Sequence, residues 1–147
     1  MRKSLLALGA IIALLPGSAR ALDTREMVPL DAKTQEDMMI GMRDHLIVLD
    51  TVVSHIASER YGEAARLAEQ RLDFAPFDPE IAQRIAKSVP PAMIEINTAM
   101  RLGVTRFAAA ARRADTERSY ASVKSLNAAL SDITSACNTC HVQFRIR

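Results

Sequence analysis

Apolar residues recur at intervals of three and four over most of this chain, an interval that is typical of helices with one apolar face. The first such stripe lies between Thr34 and Arg60. Its members are Met38, Met42, Leu46, Leu49, Val53 and Ile56. Thr34 is expected to cap this helix, with the carboxylate of Asp37 in its first turn. A second, shorter helix is predicted over 63–72, where strong helix formers follow Gly62.

Two longer stripes follow in the second half of the chain. The first of them repeats from Met93 to Ala111 and predicts a helix over 92–113. Asp115 is expected to cap the next helix, over 117–144, which contains no glycine and no proline. Its apolar positions are Val123, Leu126, Leu130, Ile133, Cys137, Cys140 and Phe144. The only two cysteines of the chain therefore lie at core positions of a long helix.

The segment 74–90 has the weakest pattern. Pro76 and Pro79 interrupt it, and Asp78 with Pro79 can cap a minor helix that reaches about Ser88, the alternative being a loop. No segment alternates with period two and no Asn-Gly turn is present, so no strand is predicted. Four amphipathic helices with short connections predict an all-α fold, an antiparallel four-helix bundle.

The N-terminal residues 1–21 have a different composition from the rest. They combine a basic start, an apolar run over 5–15 and a small-x-small triplet that ends at Ala21, which is the pattern of a cleaved secretory signal peptide. The run is too short to span a bilayer comfortably. We therefore expect one exported domain over 22–147, located in the periplasm and not embedded in the membrane.

Charge and motif content exclude several functions. The net charge of +2 becomes −1 without the signal peptide, because 16 basic residues then stand against 17 acidic ones. No basic run remains, so nucleic acid is not an expected partner. No nucleophile, base and orienting group appear together and no phosphate loop is present, so no enzyme activity is expected.

The last eleven residues, CNTCHVQFRIR, contain the strongest motif of the chain. C-x-x-C-H is the spacing that receives a c-type haem. On a helix, Cys137, Cys140 and His141 share one face, so two thioethers can hold the vinyl groups while the imidazole approaches the iron. The sequence therefore predicts one covalently bound haem c.

Two other chemistries use cysteines at this spacing. Thiol exchange is plausible in an oxidising compartment, but it predicts a strand before the motif and a helix that begins at it. A zinc site would need further ligands, which His45 and His55 supply poorly. Both alternatives fit the predicted long helix less well than haem does.

On the last of four predicted helices, CNTCHVQFR resembles the haem-attachment segment of the cytochrome c prime family, the class II c-type cytochromes. The segments MMIGMRDHLIVLD and VPPAMIEINTAMRLGVTRF resemble the first and third helices of its low-spin, methionine-ligated relatives. The resemblance implies that Cys137 and Cys140 bind haem covalently, that His141 is the proximal ligand and that Arg145 lies beside the proximal pocket. Arg145 is equally explained as a cation at a helix C-terminus.

The sixth iron ligand is the open question. In the cytochrome c prime family an apolar residue leaves the iron open to nitric oxide and carbon monoxide, whereas in the low-spin relatives a methionine of the first helix binds it. The resemblance sets Met39 nearest that position, and periodicity sets Met38 and Met42 at the centre of the stripe, so we rank Met42 and Met39 ahead of Met38. The alternatives are core packing of all three and ligation by His45.

A methionine opposite a histidine favours ferrous iron and suits single-electron transfer. We therefore expect a periplasmic electron-transport cytochrome that serves an unidentified redox partner protein. The alternative is a five-coordinate protein that binds nitric oxide or carbon monoxide. Dimerisation is common in the family that the chain resembles, and the apolar Ile47, Val48 and Val52, which flank the first stripe, are a weak indication of a homodimer.

Overall fold

The fold is all-α, as predicted, in a computed structural model that describes residues 23–72 and 78–147. The helices are α1 (Ala32–Ala57), α2 (Tyr61–Arg71), α3 (Pro79–Ser88), α4 (Pro91–Glu117) and α5 (Tyr120–Gln143). The minor helix predicted after Pro79 is confirmed as α3. The predicted signal peptide lies outside the described residues. None of the helices in the described ranges has the length and apolarity needed to cross a bilayer.

The start of α1 differs from the prediction. Asp31 caps the helix, because its carboxylate accepts hydrogen bonds from the backbone N–H of Thr34 at 3.0 Å and from the Thr34 hydroxyl at 2.6 Å. These bonds lower the pKa of Asp31. Thr34 is fully buried one turn later and acts as the donor to the cap. The prediction that Thr34 is the cap was wrong by three residues.

The boundary between α4 and α5 also differs from the prediction. Asp115 lies inside α4, which continues to Glu117, and Arg118 turns the chain with a left-handed φ of 49°. Ser119 then caps α5 through a reciprocal pair of hydrogen bonds with Ser122. The prediction that Asp115 caps the last helix was wrong, because the Ser119–Ser122 pair satisfies two N–H groups at once.

Small side chains let the helices of the core approach closely. Three alanines of α2 and three of α4 are fully buried against the largest core side chains. These residues are Ala64, Ala65, Ala68, Phe107, Ala108, Ala111, Ala114, Leu126 and Ile133. Backbone packing is extensive between α4 and α5, α2 and α4, and α1 and α2. At Gly103 of α4 a Cβ atom would lie 3.4 Å from Cγ1 of Ile133 in α5, at ordinary van der Waals distance.

The buried face of α1 is rotated from the predicted stripe. It consists of Thr34, Met38, Gly41, Val48 and Val52. Leu46 and Val53, which belong to the predicted stripe, are 68% and 48% exposed. The rotation arises because α2 packs against the side of α1 that carries Val48 and Val52. Of the three residues that suggested a dimer surface, only Ile47 is exposed.

A short pairing of extended segments joins the two ends of the described chain. Strands β1 (Glu26–Met27) and β2 (Phe144–Arg145) are parallel, although no strand was predicted. The backbone N–H of Val28 donates to the carbonyl of Arg145 at 2.8 Å. The Gln35 amide donates to the carbonyl of Ile146 at 2.5 Å, which holds the first turn of α1 beside the end of α5. Two-residue strands are too short to produce a period-two signal.

Candidate functional site

A largely apolar cavity of about 510 Å³ lies between α1, α3, α4 and α5. Its volume is in the range of pockets that hold small molecules and cofactors. All three residues of the C-x-x-C-H motif, Cys137, Cys140 and His141, line it from α5. Met38 and Met42 line it from α1. The structure thus brings together two thiols, one imidazole and two thioethers that the sequence pattern singled out.

The two walls that carry these groups, α1 and α5, are fixed at one end. The Gln35–Ile146 hydrogen bond ties the start of α1 to the residue that follows β2. With a rise of 1.5 Å per residue, Met38 and Met42 lie roughly 5 and 10 Å further along α1. His141 lies roughly 3 Å before the end of α5 on the same scale. The methionines and the motif therefore line the same end of the cavity.

The two cysteines are half-buried and unbridged. Burial raises the pKa of both thiols, and the neighbouring Cys137 raises the pKa of Cys140 further. Reactive thiols have the opposite property, a lowered pKa, often at a helix N-terminus. Cys137 and Cys140 lie instead in the last two turns of α5. The site lacks the features that activate a thiol-exchange centre.

His141 is exposed, although it contributes to the cavity wall. Its backbone carbonyl accepts a hydrogen bond from the guanidinium of Arg25 at 3.3 Å. Arg25 also pairs with Asp23 at 2.7 Å, and this hydrogen-bonded pair lowers the pKa of Asp23 to about 2. The N-terminal segment before β1 is therefore attached to the motif, a contact between residues 116 apart that no local pattern could predict.

The remaining predicted site residues do not all reach the cavity. Met39 is half-buried and is not among the lining residues. Arg145 is not a lining residue either, and its guanidinium lies 3.8 Å from the carboxylate of Asp23. His45 does line the cavity, one turn beyond Met42, and burial lowers its pKa while the nearby carboxylate of Asp44 acts in the opposite direction.

Sequence reasoning missed the α3 wall of the cavity and its polar lining. α3 contributes Ala82, Ile85 and Ala86, and α4 and α5 contribute a polar band. The band consists of Asn97, Thr98, Arg101, Thr134 and Asn138. The only sequence feature that could have indicated this polar band is the spacing of four residues between Asn97 and Arg101 and between Thr134 and Asn138, which sets each pair on one face of its helix.

Comparisons with known proteins add no information on the site. No family model, no curated protein and no solved structure matches the chain. Over 23–72 and 78–147, no group of three or more His, Cys, Asp or Glu side chains converges as a metal site would require. Among the described residues, the cavity brings the C-x-x-C-H motif together with methionine and histidine side chains.

Proposed function

We propose that the chain is an exported, periplasmic c-type cytochrome that carries single electrons, with α1, α2, α4 and α5 forming an antiparallel four-helix bundle. The observation that carries this proposal is the convergence of the C-x-x-C-H motif and two methionines on one apolar cavity. The resemblance of CNTCHVQFR to cytochromes of the c prime family supports it. The redox partner is a protein that remains to be identified.

The residues present fit a haem. Cys137 and Cys140 are one helical turn apart on the cavity wall, as two thioether bonds require, and His141 follows on the same face. The apolar side chains that α1 and α3 present to the cavity suit the faces of a macrocycle. When bound, the haem supplies a one-electron couple between ferric and ferrous iron.

The distal ligand in this proposal is a methionine of α1. Met38 is 6% exposed and belongs to the buried face of the helix, whereas Met42 is half-buried at the cavity wall. A ligand has to keep one position relative to the iron, and a buried side chain has fewer alternative rotamers than a half-exposed one. We therefore assign the distal position to Met38, with Met42 second. This order differs from the one expected from the sequence because it takes the burial of each side chain into account. A thioether there favours ferrous iron.

Optical spectroscopy of protein matured in a periplasm tests the proposal. Holoprotein is recorded in the ferric and ferrous states, before and after addition of carbon monoxide. Low-spin spectra with a methionine-to-iron charge-transfer band and a slow response to the gas are expected. A high-spin ferrous spectrum that shifts at once would favour the gas-binding alternative, and a chain that leaves the periplasm without covalent haem would contradict both.

A further inference from the structure

Helix α3 forms one wall of the cavity, yet it is attached to the rest of the molecule mainly at one place. Within the described ranges, α1 is the only helix with which α3 has more than slight backbone contact, and this contact is much smaller than those of α1 with α2, α2 with α4 and α4 with α5. Ile85, which is 4% exposed, and its neighbours Ala82 and Ala86 present the apolar side of α3 to the cavity. The contacts between α3 and α1 therefore also determine the position of this wall of the cavity.

An ion pair on the polar side of α3 joins this helix to α1. The guanidinium of Arg84 pairs with the carboxylate of Asp37 in α1. Their side chains are only 30% and 14% exposed, so this pair is better shielded from solvent than the other arginine pairs that bridge the helices. Lys33, one turn earlier in α1, lies 3.5 Å from the same carboxylate. Shielding strengthens an ion pair relative to one in bulk water.

The position of this pair in the sequence connects it to the distal site. Asp37 immediately precedes Met38, and Arg84 immediately precedes Ile85. Each member of the pair is therefore followed directly by a residue that lines the cavity. Because Met38 and Ile85 line the same cavity, a displacement of α3 from α1 would change the shape of the cavity beside Met38.

We propose that Arg84 is a positioning residue for the distal methionine: through Asp37 it holds α3 against α1 and keeps the Met38 thioether in its place at the cavity. This inference rests on the proposed function. In this proposal α3 helps to keep the Met38 thioether at the sixth position of the iron. The Arg84–Asp37 pair is therefore expected to affect the exchange of that ligand more than the covalent attachment of haem.

The test is the rate at which carbon monoxide combines with ferrous holoprotein, measured by stopped flow. If the Met38 thioether binds the iron as proposed, it would have to leave before the gas can bind, and that departure would limit the rate in wild type. Arg84→Gln and Asp37→Asn should each raise it between about two- and tenfold, and Arg84→Lys should recover part of the difference. Arg112→Gln is the control, because it removes an arginine whose partner, Glu69, joins α4 to α2 at 2.7 Å, and neither residue lines the cavity or immediately precedes one that does.

The outcomes separate the two proposals. A wild-type protein that has no covalent haem, or that binds the gas at once, overturns the proposed function and this inference with it. A low-spin, slowly reacting wild type whose rate is unchanged in Arg84→Gln overturns the inference alone. A merely structural role is recognised by a lower unfolding midpoint in urea with an unchanged rate, and that result also overturns it.

Discussion

Replacement of the α1 methionines by leucine is the sharpest test of the proposed distal ligand, because the cavity offers a matched control. Met38 of α1 is 6% exposed and Met100 of α4 is 7% exposed, and both line the cavity. Met38→Leu and Met100→Leu therefore remove the same group from equally buried sites on opposite walls. Met42→Leu completes the set for the half-buried candidate.

The choice of leucine follows from the magnitudes involved. A buried methionine replaced by alanine costs about 2–5 kcal/mol because a cavity remains. Against a total stability of about 5–15 kcal/mol, that loss could unfold the protein and abolish ligation trivially. The volume-conserving change to leucine costs below about 1.5 kcal/mol. At that cost all three variants remain folded, so a spectral change reports the ligand.

We expect Met38→Leu to lose the methionine-to-iron charge-transfer band and to bind carbon monoxide at once in the ferrous state. Met100→Leu should keep the band while its free energy of unfolding falls by below about 1.5 kcal/mol. Near-infrared spectra and urea titrations of the three holoproteins measure both quantities. The assignment is refuted if Met38→Leu and Met42→Leu both keep the band, and loss of the band in Met100→Leu would move the ligand to α4.

Three further predictions concern the frame around the cavity. Cys137→Ser with Cys140→Ser should lower folded yield as well as haem retention, which an equally helical and cooperative apo variant would contradict. Gly103→Ala should be neutral or stabilising by up to about 1 kcal/mol in urea titrations, since helix propensity improves and the contact is of ordinary length; a loss beyond about 1 kcal/mol would show that α4 and α5 cannot adjust. The pKa of Asp23 is about 2 in the folded state against 3.8 in the unfolded state. The ionised carboxylate therefore contributes fully to the stability of the folded state above pH 3.8, and this contribution is lost as the pH falls through 2. The Val28 amide should lose hydrogen-exchange protection in that window, and unchanged protection at pH 2 would separate Asp23 from the β1–β2 pairing.

The sequence pattern predicted which segments are helical better than it predicted where they begin. Thr34 and Asp115 both have the side-chain chemistry of a cap, yet Asp31 and Ser119 perform that role. A short polar side chain can accept from an N–H two or three residues later at many positions. Which polar residue caps the helix depends on where the chain leaves the packed core. Thr34 is buried by packing against other parts of the fold, and the local sequence does not indicate this burial.

The apolar lining that α1, α4 and α5 give the cavity was predictable, but the wall formed by α3 was not. The helical periodicity correctly predicted that Met38 and Met42 point toward the interior. It also placed Val53 on the same buried face, although Val53 is 48% exposed. A helix that faces a cavity along its first half and another helix along its second half changes its buried side between them, and one average period cannot represent both. The Asp37–Arg84 pair joins residues 47 apart and has no local signal.

The size of the cavity connects folding to the proposed haem. The cavity is open to solvent beside the exposed Leu46 and Ile94, so its roughly 510 Å³ is not the volume of a closed void. A bound group that covers the apolar wall would stabilise the folded protein by about 25 cal/mol for each Å² of apolar surface that it removes from water. A group that fills the cavity and is bonded to Cys137 and Cys140 would therefore be part of the core of the folded protein, which is why the cysteine variants are expected to lose structure and cofactor together.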